Sequence, residues 1–176
     1  MDPHLESLQR EIVSALAEFS TEQLAWHPPE KWCAAEVFEH LFLTYTGTIK
    51  GMTRMLESGG PHVTPVTWKQ LAIRFVLLGL GHMPSGRTAP PFTRPKGLAP
   101  EKVLAEIAPR VGEMDGILGC CAEKFGRQRE LLDHPVLGPL TAAQWSKFHF
   151  VHGMHHLKQV RHLRQSQTAT AGNSAA

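Results

Sequence analysis

Leu5, Leu8, Ile12, Leu16 and Phe19 recur at three- and four-residue steps, the apolar stripe of a helix packed on a core. Asp2 suits its cap and Pro3 its first position. Residues 20–32 (S-T-E-Q-L-A-W-H-P-P-E-K-W) read as a connection, because Pro28-Pro29 forbids continuous helix. From about Ala34 to Glu57 the stripe returns as Phe38, Leu41, Tyr45, Ile49, Met52 and Leu56. Residues 58–66 break it with turn formers, and residues 67–80 read as a short accessory helix. Residues 81–100 hold five prolines and three glycines without a period, a long Pro-rich loop. It reads equally as a lid across a pocket or as a surface excursion.

A further stripe starts near Glu101 with Val103, Leu104, Ile107, Val111, Met114, Ile117 and Leu118. Pro109 is expected to kink or divide that helix near Glu106. Residues 127–140 read as a connection, after which Thr141 caps the last helix and Gln144 completes a capping box. After Arg164 the small polar residues read as a tail without structure. No segment alternates cleanly as a strand, and no repeat is visible. The pattern predicts an all-α protein, a four-helix bundle with an accessory helix. A single domain spans 1–165 and a disordered tail 166–176.

Composition narrows this little. The 176 residues are 42% hydrophobic and 19% charged, the balance of one ordinary globular domain. The net charge of +2 is well mixed, with no basic arm, so nucleic acid is not an expected partner. The longest apolar run, Leu71 to Leu80, contains Arg74 and is too short for a bilayer, and the N-terminus carries no apolar signal core. With three cysteines, of which Cys120 and Cys121 are adjacent, a disulfide framework is not expected. A reducing, cytoplasmic setting without membrane attachment fits.

The chemistry concentrates in the last helix. Trp145 to Leu163 holds five of the eleven histidines: His149, His152, His155, His156 and His162. A helix turns about 100° per residue, so His152 and His156 differ by about 40° and stack on one side. Trp145, Phe148 and Leu163 share that side. Two neutral imidazoles so placed can bind one metal ion, although a lone core histidine more often has no such role. Gln159 lies on the same side. Spacing alone does not choose a third ligand. On the second helix, His40 lies well off the main stripe and reads from periodicity as a surface or half-buried residue. Val37 and Thr44 would border it if that helix has a second buried face.

Two metal chemistries are excluded. Gly153 follows His152 where a zincin protease needs its glutamate, and no histidine has the glutamate three residues before it that a di-iron bundle needs. A mononuclear site with open positions is left. Cys33, near the start of the second helix, reads as an activated thiol or, more commonly, a small buried filler.

Two segments resemble a known family. Residues 31–41, K-W-C-A-A-E-V-F-E-H-L, are similar to the g-W-s-x-x-e-v-x-x-H-L pattern that opens the second helix of DinB-like proteins. Residues 134–160 contain H-P-V-L-G-P-L-T-A-A-Q-W and F-V-H-G-M-H-H-L-K-Q-V. These resemble the G-x-L-t-x-x-q-W and H-x-x-H-H-x-x-Q pattern of the family's final helix. The resemblance implies a four-helix bundle, often a homodimer, with a metal triad on His40, His152 and His156. It implies nickel, zinc or iron as the cofactor. Family members include thiol S-transferases that use bacillithiol or mycothiol and a mycothiol-dependent isomerase. The chain departs from the family's usual serine with Cys33, and carries the long segment 81–100.

Two functional expectations follow. One is a divalent-metal-dependent enzyme, a thiol S-transferase or hydrolase acting on a small-molecule thiol or electrophile. Gln159 and His155 would then stand behind the ligands, with Glu36, one turn before His40, orienting its ring. The other is a non-catalytic metal-binding or stress-related bundle. Phe150, Met154 and Leu157 lie away from the histidine face, which suits either a homodimer or packing within the chain.

Overall fold

The computed structural model describes residues 1–84, 86 and 88–173, with side chains as far as 167. Helix α1 spans Pro3–Ala17, and the Asp2 side chain accepts from the His4 N–H at 2.9 Å. Its apolar stripe buries Leu5, Leu8 and Ile12 completely. The segment read as a plain connection contains a short helix α2, Thr21–Ala25. A reciprocal capping box explains it: Ser20 Oγ accepts from Gln23 N at 3.3 Å, and Gln23 Oε1 accepts from Ser20 N at 3.0 Å. The paired prolines limit it to little more than one turn.

Helix α3 covers Ala34–Glu57 and buries two faces, Phe38, Leu41 and Tyr45 on one and Val37, His40 and Thr48 on the other. Helix α4, Trp68–Arg74, runs on into a π-helical turn over Phe75–Gly79. The long loop then crosses α3, with one 3₁₀ turn at Pro91–Thr93. Helix α5, Pro100–Phe125, passes through Pro109 without dividing. Pro109 removes one backbone donor, a loss that packing along the buried face outweighs. The Gln9 side-chain amide also donates to the Ala108 carbonyl at 2.9 Å.

A small antiparallel hairpin occupies the connection before the last helix. Strand β1, Leu132–His134, pairs with β2, Gly138–Leu140, in the register Leu132 to Leu140. Three residues per strand are too few to show alternation, and Pro139 argues against a strand by composition. Tertiary contacts supply what composition lacks. Arg74 Nε donates to Leu137 O at 2.7 Å, its Nη2 donates to Pro139 O, and its Nη1 lies 3.3 Å from Glu130. His134 Nδ1 accepts the N–H groups of Val136 and Leu137, both at 3.1 Å, and shapes the turn.

Helix α6 spans Ala142–Asn173, capped by Thr141 and Gln144 as their spacing predicts. It passes Arg164, where the tail was expected to begin, and stays helical to Asn173; residues 174–176 lie outside the described residues. Nothing between Arg164 and Ala171 breaks a helix, and alanines at 169 and 171 favour one. The long helices α1, α3, α5 and α6 form the bundle, α3 against α5 and α1 against both α5 and α6. On α6, Leu157 is fully buried, and Phe150 and Met154 pack half-buried on the core, so these apolar residues find cover within the chain. Among the described residues no helix is long and apolar enough to cross a membrane.

Candidate metal centre

Three rings from two helices meet where α3 passes α6. His152 and His156 stand one turn apart on α6, as the 3.6-residue period requires, with ring centroids 4.6 Å apart. His40 comes from the second buried face of α3 and meets both, at 5.2 Å from His152 and 4.8 Å from His156. Their Nε2 atoms converge: His152 Nε2 lies 3.3 Å from His40 Nε2 and 3.1 Å from His156 Nε2. His40 and His152 are buried, while His156 is half-buried and opens the cluster to one side.

The outward nitrogens decide the tautomers. His40 Nδ1 lies 2.8 Å from the carbonyl oxygen of Thr93, which only accepts, so Nδ1 carries the proton and Nε2 presents a lone pair. His156 Nδ1 donates to Gln159 Oε1 at 3.0 Å, so its Nε2 also presents a lone pair. Both lone pairs face His152 Nε2. Were that atom protonated it would satisfy only one of them. Its Nδ1 is buried without a partner among the described residues, so moving the proton there leaves an orphan N–H and three facing lone pairs. A cation at the convergence point removes the conflict, and the donor set is one that zinc, nickel and iron(II) accept.

Burial keeps these rings neutral. It lowers His40, against a smaller opposing effect of the Thr93 hydrogen bond. It lowers His152 well below its ordinary value, helped by the neighbouring histidines. His156 falls to about 3 through burial and then through His40. Neutral imidazoles are the ligand form. Trp32 lies against His40 at 5.5 Å, and Phe148 stacks on His152 at 5.4 Å with rings 10° from parallel, so aromatic surface walls the cluster.

The other expected groups divide. Gln159 sits behind His156, and half-buried His155 packs edge-on to it at 5.2 Å. Burial lowers His155, followed by Lys158 and by His82 of the long loop. Glu36 turns away from His40. It accepts the Cys33 N–H at 2.8 Å and lies 3.6 Å from His27 Nδ1. A glutamate at the third helical position reaches back to the orphan N–H of its own helix start. The place expected for it behind His40 belongs to the Thr93 carbonyl.

That carbonyl gives the long loop a role. Buried Glu39, next to His40, accepts the N–H groups of Lys96 at 2.6 Å and Gly97 at 3.2 Å. The carboxylate ties the loop across α3 and presents Thr93 to the ring. Neither residue carries a sequence signal, since one acts through its backbone and the other resembles any helix glutamate. Cys33 is buried, and desolvation pushes its thiol up, which argues against an activated nucleophile. A surface groove of about 490 Å³ beside Arg74, Phe75, Gln144 and Lys147 holds none of the three histidines.

Comparison with known proteins assigns the family. The sequence profile described as the DinB superfamily matches residues 4–160, a span that contains all three histidines. No curated protein and no solved structure matches the chain.

Proposed function

The chain belongs to the DinB superfamily, and from that premise we propose that it is a metal-dependent enzyme that activates a small-molecule thiol for transfer to an electrophile. One observation carries the reading: two lone pairs, fixed by Thr93 O and Gln159 Oε1, are aimed at a third ring whose outer nitrogen has no partner. His40, His152 and His156 would hold one divalent ion of the zinc, nickel or iron(II) kind. Held by neutral donors, such an ion keeps its full charge and lowers the pKa of a thiol or water brought to it.

The surroundings of the rings favour a thiol over water. They are aromatic faces, the His155 ring, a backbone carbonyl and a side-chain amide, and among the described residues no carboxylate is hydrogen-bonded to any of the three. A thiol begins near pKa 8.5 and needs about 1.5 units of lowering to ionise at neutrality. A three-histidine zinc ion can also bring bound water to about pKa 7, but hydrolytic sites add a general base to handle its proton, and a thiol needs none. The half-buried side at His156, flanked by Gln159 and His155, gives the substrate its approach.

The test is direct. Purified protein should carry at least one equivalent of metal, measured by elemental analysis. Thiol conjugation to a model electrophile should stop on chelation and return with metal. Turnover by the metal-free protein would refute the reading. The same sparse surroundings favour a second reading, a metal-binding bundle without catalysis. A metal-loaded protein inert towards a panel of thiols and electrophiles would support that alternative.

A further inference from the structure

A second group of metal-ligating side chains lies at the start of α3. His27, from the turn after α2, meets Cys33 at the helix cap and Glu36 in its first turn. Their donor atoms all lie within 4.8 Å of one another. We propose that His27, Cys33 and Glu36 form a second divalent-cation site, selective for a zinc-like ion and distinct from the all-imidazole centre.

The donor set sets the selectivity. One sulfur, one imidazole nitrogen and one carboxylate oxygen suit a borderline-soft ion such as zinc, and suit magnesium or calcium poorly. Donors around a four-coordinate zinc stand roughly 3.2–3.8 Å apart, from bond lengths of about 2.0–2.3 Å. His27 Nδ1 and Glu36 Oε2 are already 3.6 Å apart. His27 is 58% exposed and Glu36 32% exposed, so both can adjust, while buried Cys33 supplies the fixed inner ligand. The Glu36 bond to the Cys33 N–H uses one of about four lone-pair directions on the carboxylate and leaves others free.

The chain brings His27 back by a short rigid path. Pro28 and Pro29 limit the backbone, and Lys31 N bonds to Pro28 O at 3.3 Å, closing the turn onto the helix start. On binding, the Cys33 Sγ–H bond breaks, its proton passes to buffer, and an Sγ–metal bond forms without any change of oxidation state. The fourth position, on the exposed His27 side, is left to water.

Cobalt(II) is the probe, because only a thiolate ligand gives an intense near-ultraviolet sulfur-to-cobalt charge-transfer band. The all-imidazole centre has no sulfur and cannot produce it. The full-length chain, kept reduced without added thiol, is titrated with cobalt. The band should saturate at one equivalent for this site. Cys33→Ser, which keeps a good helix cap, should abolish it, and His27→Ala should weaken cobalt affinity at least tenfold. The double variant His40→Ala/His156→Ala should retain it, which separates this site from the proposed catalytic centre. Absence of the band at saturating cobalt, or its survival in Cys33→Ser, overturns the inference.

Discussion

Glu39→Gln should weaken metal binding although residue 39 touches no candidate ligand atom. The carboxylate accepts two loop N–H groups, from Lys96 at 2.6 Å and Gly97 at 3.2 Å. Hydrogen bonds to a charged group contribute about 1.5–3 kcal/mol each. Glutamine keeps one acceptor oxygen and turns an NH₂ towards the other N–H, so about one such bond is lost and a donor faces a donor. The loop is then held less firmly by about 2–3 kcal/mol. The loop reaches the centre through Thr93 O, which fixes the His40 tautomer at 2.8 Å. Losing such an outer partner costs about 10–100-fold in metal affinity, or about 1.4–2.8 kcal/mol. The two ranges overlap, so loosening the loop is large enough to release that one bond.

Competition against a chromophoric chelator measures the zinc affinity of wild type and variant. Thr93→Ala is the control: it removes the hydroxyl bond to Pro90 O at 3.1 Å but keeps the carbonyl. Glu39→Gln should lose about tenfold or more in affinity, and Thr93→Ala should lose far less. Faster cleavage within 93–97 by a protease would show that the loop has loosened. If the loop loosens and zinc affinity stays within about twofold of wild type, the carbonyl does not tune the centre and the reasoning fails.

In a Cys33→Ser background, which removes the proposed second site, His152→Ala removes the ring shared by both short nitrogen contacts, so the zinc-induced rise in melting temperature should vanish; a rise as large as the parent's would contradict the triad. Gly153→Ala should lower the melting temperature, because the added methyl would lie 3.1 Å from Tyr45 Oη and closer still to Leu8. Overpacking of about 1–3 kcal/mol exceeds the roughly 1 kcal/mol that alanine adds to a helix, and a stabilised variant would refute the close fit. Acid should destabilise the metal-free protein. Burial lowers His149 to about 3 and His134 to about 4, so the unfolded chain binds their protons first as the pH falls. Their contribution is fully present above the unfolded pKa of about 6.5 and is lost as pH falls towards the folded values. Each group should remove about 2 kcal/mol between pH 7 and 5, read by urea denaturation; equal stability at both pH values would show that these rings are not buried neutral.

The readable parts of the sequence were those set by local spacing. The apolar stripe gave the bounds of α3, and one helical turn put His152 above His156. His40 was readable only through family resemblance. A helix wheel built on Phe38, Leu41 and Tyr45 finds one buried face, whereas α3 in the bundle buries a second through Val37, His40 and Thr48. The Thr93 carbonyl had no signal at all, because any residue has a carbonyl and only the path of the loop selects this one. The hairpin was hidden for a similar reason: Arg74, more than fifty residues before it, supplies the donors that hold it. The Ser20–Gln23 capping box was present in the letters and was outweighed by the paired prolines after it.

Gly153 ties the shape of α6 to the kind of chemistry available. Successive residues on a helix point about 100° apart, so when His152 faces α3, residue 153 faces α1. There the Leu8 side chain and the Tyr45 hydroxyl leave no room for a β-carbon. A glutamate between the histidines, the base that a hydrolytic zinc helix carries, is therefore excluded by packing and not merely absent from the letters. Around the rings the chain instead places Phe148, Trp32, a backbone carbonyl and the Gln159 amide, none of which takes a proton at neutral pH. In the proposed reading the substrate brings its own acidity to the centre, with His155 beside His156 as the further titratable group. A thiol near pKa 8.5 needs only about 2 kcal/mol of help from a metal to ionise at neutrality and no separate base to carry its proton away, which is what favours thiol transfer in the proposed reading.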